Sequence, residues 1–133
     1  MITKINHIGI AVRSIEEAAK LYTKGLGLEV HDIETVETYK VKIAMIPVGD
    51  SKIELVEPID PEGKIAKYIE KKGEGLHHLA LEVDDIEATL SSLKASGIPL
   101  IDETPRAGAG GTRVVFLDPK GAKTSLELVE PKK

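Results

Sequence analysis

NHIGIAV at residues 6–12 and HHLALEV at residues 77–83 are two strand-like stretches that carry a histidine at the same point. Aligning His7 with His78 sets Ile8, Ile10 and Val12 opposite Leu79, Leu81 and Val83, then Ile15 and Glu16 opposite Ile86 and Glu87. The chain therefore reads as an internal repeat, which marks a fold assembled from two copies of one unit. After the first strand, Ser14 with Glu17 forms a capping box, and Ile15, Ala18, Ala19 and Tyr22 recur at helical spacing until GLGLEV ends the helix. In the second copy Asp84 or Asp85 caps a helix whose Ile86, Leu90 and Leu93 share a face, and Gly97 stops it.

Three strand candidates follow each helix: LEVHDIETV, YKVKIAMIPV and KIELVE, then IPLIDE, TRVVFL and TSLELVE. Between the copies Ile65, Tyr68 and Ile69 fall at helical spacing, with Asp60 and Pro61 suited to a helix start and Gly73 to its end. We expect one domain over 1–133: module one at 1–57, a linker helix at 58–73 and module two at 74–133. The expected class is α+β, two tandem βαβββ modules forming one curved, mostly antiparallel sheet. Helices should cover the convex side and leave the concave side for a ligand.

Composition narrows the function. With 133 residues, 41% hydrophobic, the chain can bury about two thirds of its unfolded surface. A net charge of −4 with scattered lysines lacks the basic footprint that nucleic acid requires. The sequence contains no apolar run near the ~18 residues of a membrane span and no export leader, so we expect a cytoplasmic protein without a membrane partner. The absence of cysteine removes disulfides, thiolate nucleophiles and zinc–thiolate sites. Any metal must be held by His, Asp or Glu.

Strand alternation selects those ligands. If Ile8, Ile10 and Val12 lie under a helix, His7, Gly9 and Ala11 face the hollow; the same parity sends His78 and Ala80 there and His77 away. In the last strands Glu54 opposes Ile53 and Leu55, and Glu127 opposes Leu126 and Leu128. A single histidine or glutamate in a strand is ordinarily a satisfied side chain. Four at two repeat-related positions are a better match to a divalent metal site, and imidazole with carboxylate suits Fe, Co, Ni, Mn or Zn.

Paired strand–helix–three-strand modules with this His, Glu, His, Glu set resemble the vicinal oxygen chelate superfamily. Within it, NHIGIAV, IELVEP, GKIAKYIEKKGEGLHHLALEVDDIE and LIDETPRAGAGG are most similar to the methylmalonyl-CoA epimerases. The resemblance implies His7, Glu54, His78 and Glu127 as ligands of one divalent ion, cobalt first among Co, Ni, Mn, Zn and Fe. It also implies Glu127 as a catalytic residue near the acidic carbon, an acyl-CoA substrate and a homodimer. Inverting the carbon between a carboxylate and a thioester requires removal of a weakly acidic proton, and a Lewis acid would hold the charge of the resulting enolate.

Two features depart from the pattern of that family. Residues 40–46 carry no second carboxylate, for which Glu37, Lys42 or a metal-bound water would have to substitute. Asp118 stands where a histidine is usual, in a DPKG turn generic to the superfamily. A glyoxalase I-type lyase acting on a glutathione hemithioacetal is therefore the alternative, since it resembles the chain in the same four ligands. An extradiol dioxygenase, with two histidines and one carboxylate, and a metal-free binding module fit less well; three Tyr, one Phe and no Trp offer that module few stacking surfaces. RAGAGG at 106–111 lacks the dinucleotide fingerprint and reads as a connection. Lys71, Lys72, Arg106 and Arg113 are candidates for coenzyme A phosphates.

Overall fold

A computed structural model describes residues 1–132. The first copy contains β1 (Ile2–Ala11), α1 (Ile15–Lys20), β2 (Asp32–Val36), β3 (Val41–Val48) and β4 (Ser51–Pro58). Helix α2 (Lys64–Lys72) precedes the second copy, which contains β5 (Gly75–Val83), α3 (Ile86–Ala95), β6 (Arg106–Ala107), β7 (Arg113–Leu117) and β8 (Ser125–Glu130). A short α4 (Pro119–Ala122), capped by Asp118, fills the DPKG turn. Strand, helix and three strands thus occur twice, in an α+β fold. The chain groups into two compact units: Ile8–His77, and Met1–His7 together with His78 onward. Strand β1 contributes to both.

In the unit Ile8–His77, β2, β3 and β4 form antiparallel ladders, and the Val12 N–H donates to the Val56 carbonyl at 2.9 Å. The Ser14 side chain accepts from the Glu17 N–H, the half of the capping box that starts α1. A single π turn, Leu21–Gly25, extends the helix, and Ile15, Ala18, Ala19 and Tyr22 pack on Val12, Ala44, Ile46 and Leu55. Ile10 joins this core, whereas Ile8, expected under a helix, is 38% exposed. Ile8 lies outside the cluster that the α1 side chains form with the sheet.

Helix α2 also starts later than its sequence suggests. Asp60 accepts from the Glu62 N–H at 2.8 Å, closing a turn instead of capping the helix, and Gly63 takes the N-cap position. That bond, assisted by Lys40, holds the Asp60 carboxyl below the usual carboxylate range. Gly73 ends the helix at φ 83°, a conformation that favours glycine.

In the other unit β8 lies parallel to β5 and antiparallel to β7, which pairs in turn with β6. Asp85 caps α3 through the Ala88 N–H, and Ile86, Leu90 and Leu93 pack on Leu81, Val83, Val115, Leu117, Leu126 and Leu128. IPLIDE is not a strand. It forms one bridge, Leu100 to Leu117, and the Asp102 carboxylate accepts from the Phe116 N–H at 2.9 Å where a strand would offer a carbonyl.

The repeat reaches further than its ligands. Glu57 accepts from the Ile15 N–H at 2.7 Å, and Glu130 from the Ile86 N–H at 2.9 Å. Each final strand thus ties down the first turn of its own module's helix, where N–H groups lack intrahelical partners and the helix dipole favours an anion. Glu130 is buried, so Glu130→Ala should destabilise the fold by about 2 kcal/mol, the usual worth of a hydrogen bond to a charged group. Urea unfolding monitored by circular dichroism would measure it; an unchanged midpoint would show that water replaces the carboxylate.

Candidate metal centre

Three of the four candidate ligands lie in the unit formed by Met1–His7 and His78 onward. His7 comes from β1, His78 from β5 and Glu127 from β8. The β5–β8 register sets Ala80 beside Glu127, and across β8 the partner of Glu127 is Phe116. Ala80, Val114 and Val129 form a small buried cluster with Phe116 packed against it. The carboxylate of Glu127 therefore has apolar strand neighbours, which keep its surroundings poor in water.

His7 and Glu127 are both buried. The Nε2 atom of His7 lies 3.0 Å from Nε2 of His78 and 3.2 Å from Oε1 of Glu127. The two rings meet edge to face, with planes at 89° and centroids 5.1 Å apart. Despite its proximity to His7, Glu127 Oε1 makes no hydrogen bond of acceptable geometry, although it is buried. A buried carboxylate oxygen left in this state costs free energy unless something satisfies it. His7 Nε2 thus has an imidazole nitrogen on one side and a carboxylate oxygen on another, and both are donor types that suit a divalent cation. The residues present fit such an ion.

Glu54 lies on β4 in the unit Ile8–His77, opposite Met45, and is buried with its neighbours Leu55 and Val56. Its strand parity is as read from the sequence: Leu55 and Ile53 face the α1 core. Of the candidate replacements for a second carboxylate, Glu37 opens an exposed 3-10 turn and Lys42 sits on β3 between Thr35 and Glu57. Both belong to the unit Ile8–His77.

Three of the four cationic candidates for phosphate binding have other engagements. Arg106 pairs with Asp102 at 2.7 Å and stacks its guanidinium 5.2 Å from the Phe116 ring centre. Arg113 pairs with Glu87 and Glu130, and the Lys72 ammonium lies 5.9 Å from the Tyr68 ring centre. Glu57 and Glu130 are functional in a structural sense that ligand reasoning missed. The signal was available, since residues three apart on a strand face opposite ways: in IELVE and LELVE one glutamate meets the site face and the other meets the helix.

Residues 6–116 match the family model of the glyoxalase/bleomycin resistance protein/dioxygenase superfamily. The chain belongs to that superfamily. It is 41% identical to the Bacillus subtilis (strain 168) protein YqjC, over 97% of this chain and 93% of that one. It is 37% identical to the ethylmalonyl-CoA/methylmalonyl-CoA epimerase of Cereibacter sphaeroides, over 97% of this chain and 100% of the relative. A Streptomyces coelicolor methylmalonyl-CoA epimerase variant, solved in complex with 2-nitronate-propionyl-CoA, superposes with a TM-score of 0.93 at 31% identity, covering 100% of both chains. A protein of Vibrio cholerae described as a probable lactoylglutathione lyase is more distant, at 28% identity over 97% of this chain and 91% of the relative.

Proposed function

We propose that the chain is a metal-dependent methylmalonyl-CoA epimerase, interconverting the R and S forms of its acyl-CoA substrate. The observation that carries this reading is the placement of the buried His7 beside both His78 and the buried Glu127, with a Glu127 oxygen left without a hydrogen bond. Similarity to epimerases across the full length of the chain supports the substrate class. The greater distance of the lactoylglutathione lyases favours this reading over a glyoxalase.

His7, His78 and Glu127 would hold the divalent ion, and Glu54, the repeat partner of Glu127, is the fourth candidate ligand. Cobalt is the first choice among Co, Ni, Mn, Zn and Fe. A bound ion supplies Lewis-acid stabilisation of negative charge on substrate oxygen. Glu127 accepts the proton from the carbon between the carboxylate and the thioester, leaving an enolate, and a second acid returns a proton to the opposite face. The chain acts in the cytoplasm as a homodimer, to be read as twice the chain mass in light scattering; a monomer mass at working concentration would reject the dimer.

Proton NMR of the Co2+-loaded protein in deuterated water tests the function. Methylmalonyl-CoA should take up deuterium at its acidic carbon with inversion, and the uptake should stop on chelation. If only the glutathione hemithioacetal of methylglyoxal turns over, the protein is a lyase; if neither reacts, the epimerase assignment fails.

A further inference from the structure

The residue before His7 does something that strand geometry does not lead one to expect. Adjacent strand residues ordinarily face opposite ways, yet Asn6 and His7 are both buried, and Asn6 Oδ1 lies 2.6 Å from His7 Nδ1. The other end of the Asn6 amide, Nδ2, donates to Glu82 Oε1 on β5 at 2.8 Å. We propose that Glu82 and Asn6 are positioning residues that lock His7 as its Nδ1–H tautomer, keeping the Nε2 lone pair turned toward His78 and Glu127 for a cation.

The polarity of the chain of bonds is fixed from its far end. A carboxylate only accepts, so Glu82 requires the NH2 of Asn6, and the amide then has only its oxygen to offer His7. The imidazole atom facing that oxygen must carry the hydrogen, and a neutral ring has only one such hydrogen. Nε2 is left as an acceptor or ligand atom, 3.0 Å from its counterpart on His78. Ligating histidines are commonly held by a carboxylate or carbonyl on their other nitrogen, and here a carboxylate acts through an amide. The second repeat has no such amide: the position equivalent to Asn6 is His77, whose ring packs edge-on against Tyr68. The Asn6 contact is therefore particular to the first histidine, and Asn6 substitutions should act there.

The proposal rests on reading His7 as a ligand, and two separate measurements keep the claims apart. In the metal-free protein, long-range proton–nitrogen NMR of the imidazoles should show His7 protonated at Nδ1. Asn6→Ala should give a mixture of tautomers and weaken Co2+ binding, measured by chelator competition, by about 10–100-fold. Asn6→Asp sets two carboxylates against each other and should also weaken it. Adding Glu82→Gln to Asn6→Asp should restore both tautomer and affinity, because the glutamine NH2 donates to the new carboxylate, which still accepts from His7. A merely structural role for Asn6 would not produce that rescue. If Asn6→Ala leaves the His7 tautomer unchanged, or the double variant binds no better than Asn6→Asp, the proposal is overturned. If His7→Ala binds Co2+ normally, the ligand reading fails and this inference fails with it, even where the tautomer in the metal-free protein is as expected.

Discussion

Glu127→Gln is expected to lower deuterium exchange at the acidic carbon of methylmalonyl-CoA by about 10²–10⁴-fold, the usual contribution of a positioned general base. The amide keeps an oxygen that can ligate, so Co2+ occupancy should fall far less than turnover. The fold should survive, because the strand neighbours of Glu127 pack through Ala80, Val114 and Val129 and do not depend on its charge. Activity within about threefold of the unmodified protein would remove Glu127 from proton transfer, since even the low end of that range is much larger. Loss of metal in step with loss of turnover would make it a ligand only.

His78→Ala should abolish both. It removes one of two imidazole nitrogens 3.0 Å apart and leaves His7 and Glu127 as an incomplete set within their unit. Lewis-acid stabilisation contributes several kcal/mol, so turnover should fall by about 10³-fold or more, with little Co2+ retained after gel filtration. The contrast with Glu127→Gln makes the pair informative: one variant separates metal from chemistry and the other removes them together. An alanine variant at 78 that retained both would show that the ion is held elsewhere.

Much of this was legible in the sequence because the repeat and strand parity are reinforced by local chemistry. Ser14 caps α1 as expected, Asp85 is the one of the two candidates Asp84 and Asp85 that caps α3, and the parity of the last strands put Glu54 and Glu127 opposite their apolar neighbours. The departures have physical causes that act over long range or between similar local options. Asp60 is a competent cap, but its side chain was already committed to a turn. IPLIDE has strand composition, yet Asp102 supplies the acceptor for Phe116 and replaces a ladder carbonyl with a side chain. Nothing in the order of residues 1–7 shows that they group with residues 78 onward. That grouping is expressed in contacts such as Asn6 to Glu82, separated by 76 positions.

The two glutamates of β8 have a consequence for how the protein reaches its working form. Glu127 and Glu130 lie on opposite faces of one strand, the first beside His7 and the second at the start of α3. A slip of β8 by one residue would exchange those faces. It would turn Glu127 toward Ile86 and Leu90 and deprive the helix of its anion, burying a charge among aliphatic side chains at a cost of several kcal/mol. Chains paired out of step would thus be disfavoured before any metal or substrate arrives, and the accuracy with which the proton acceptor is aimed is inherited from an error check made during folding.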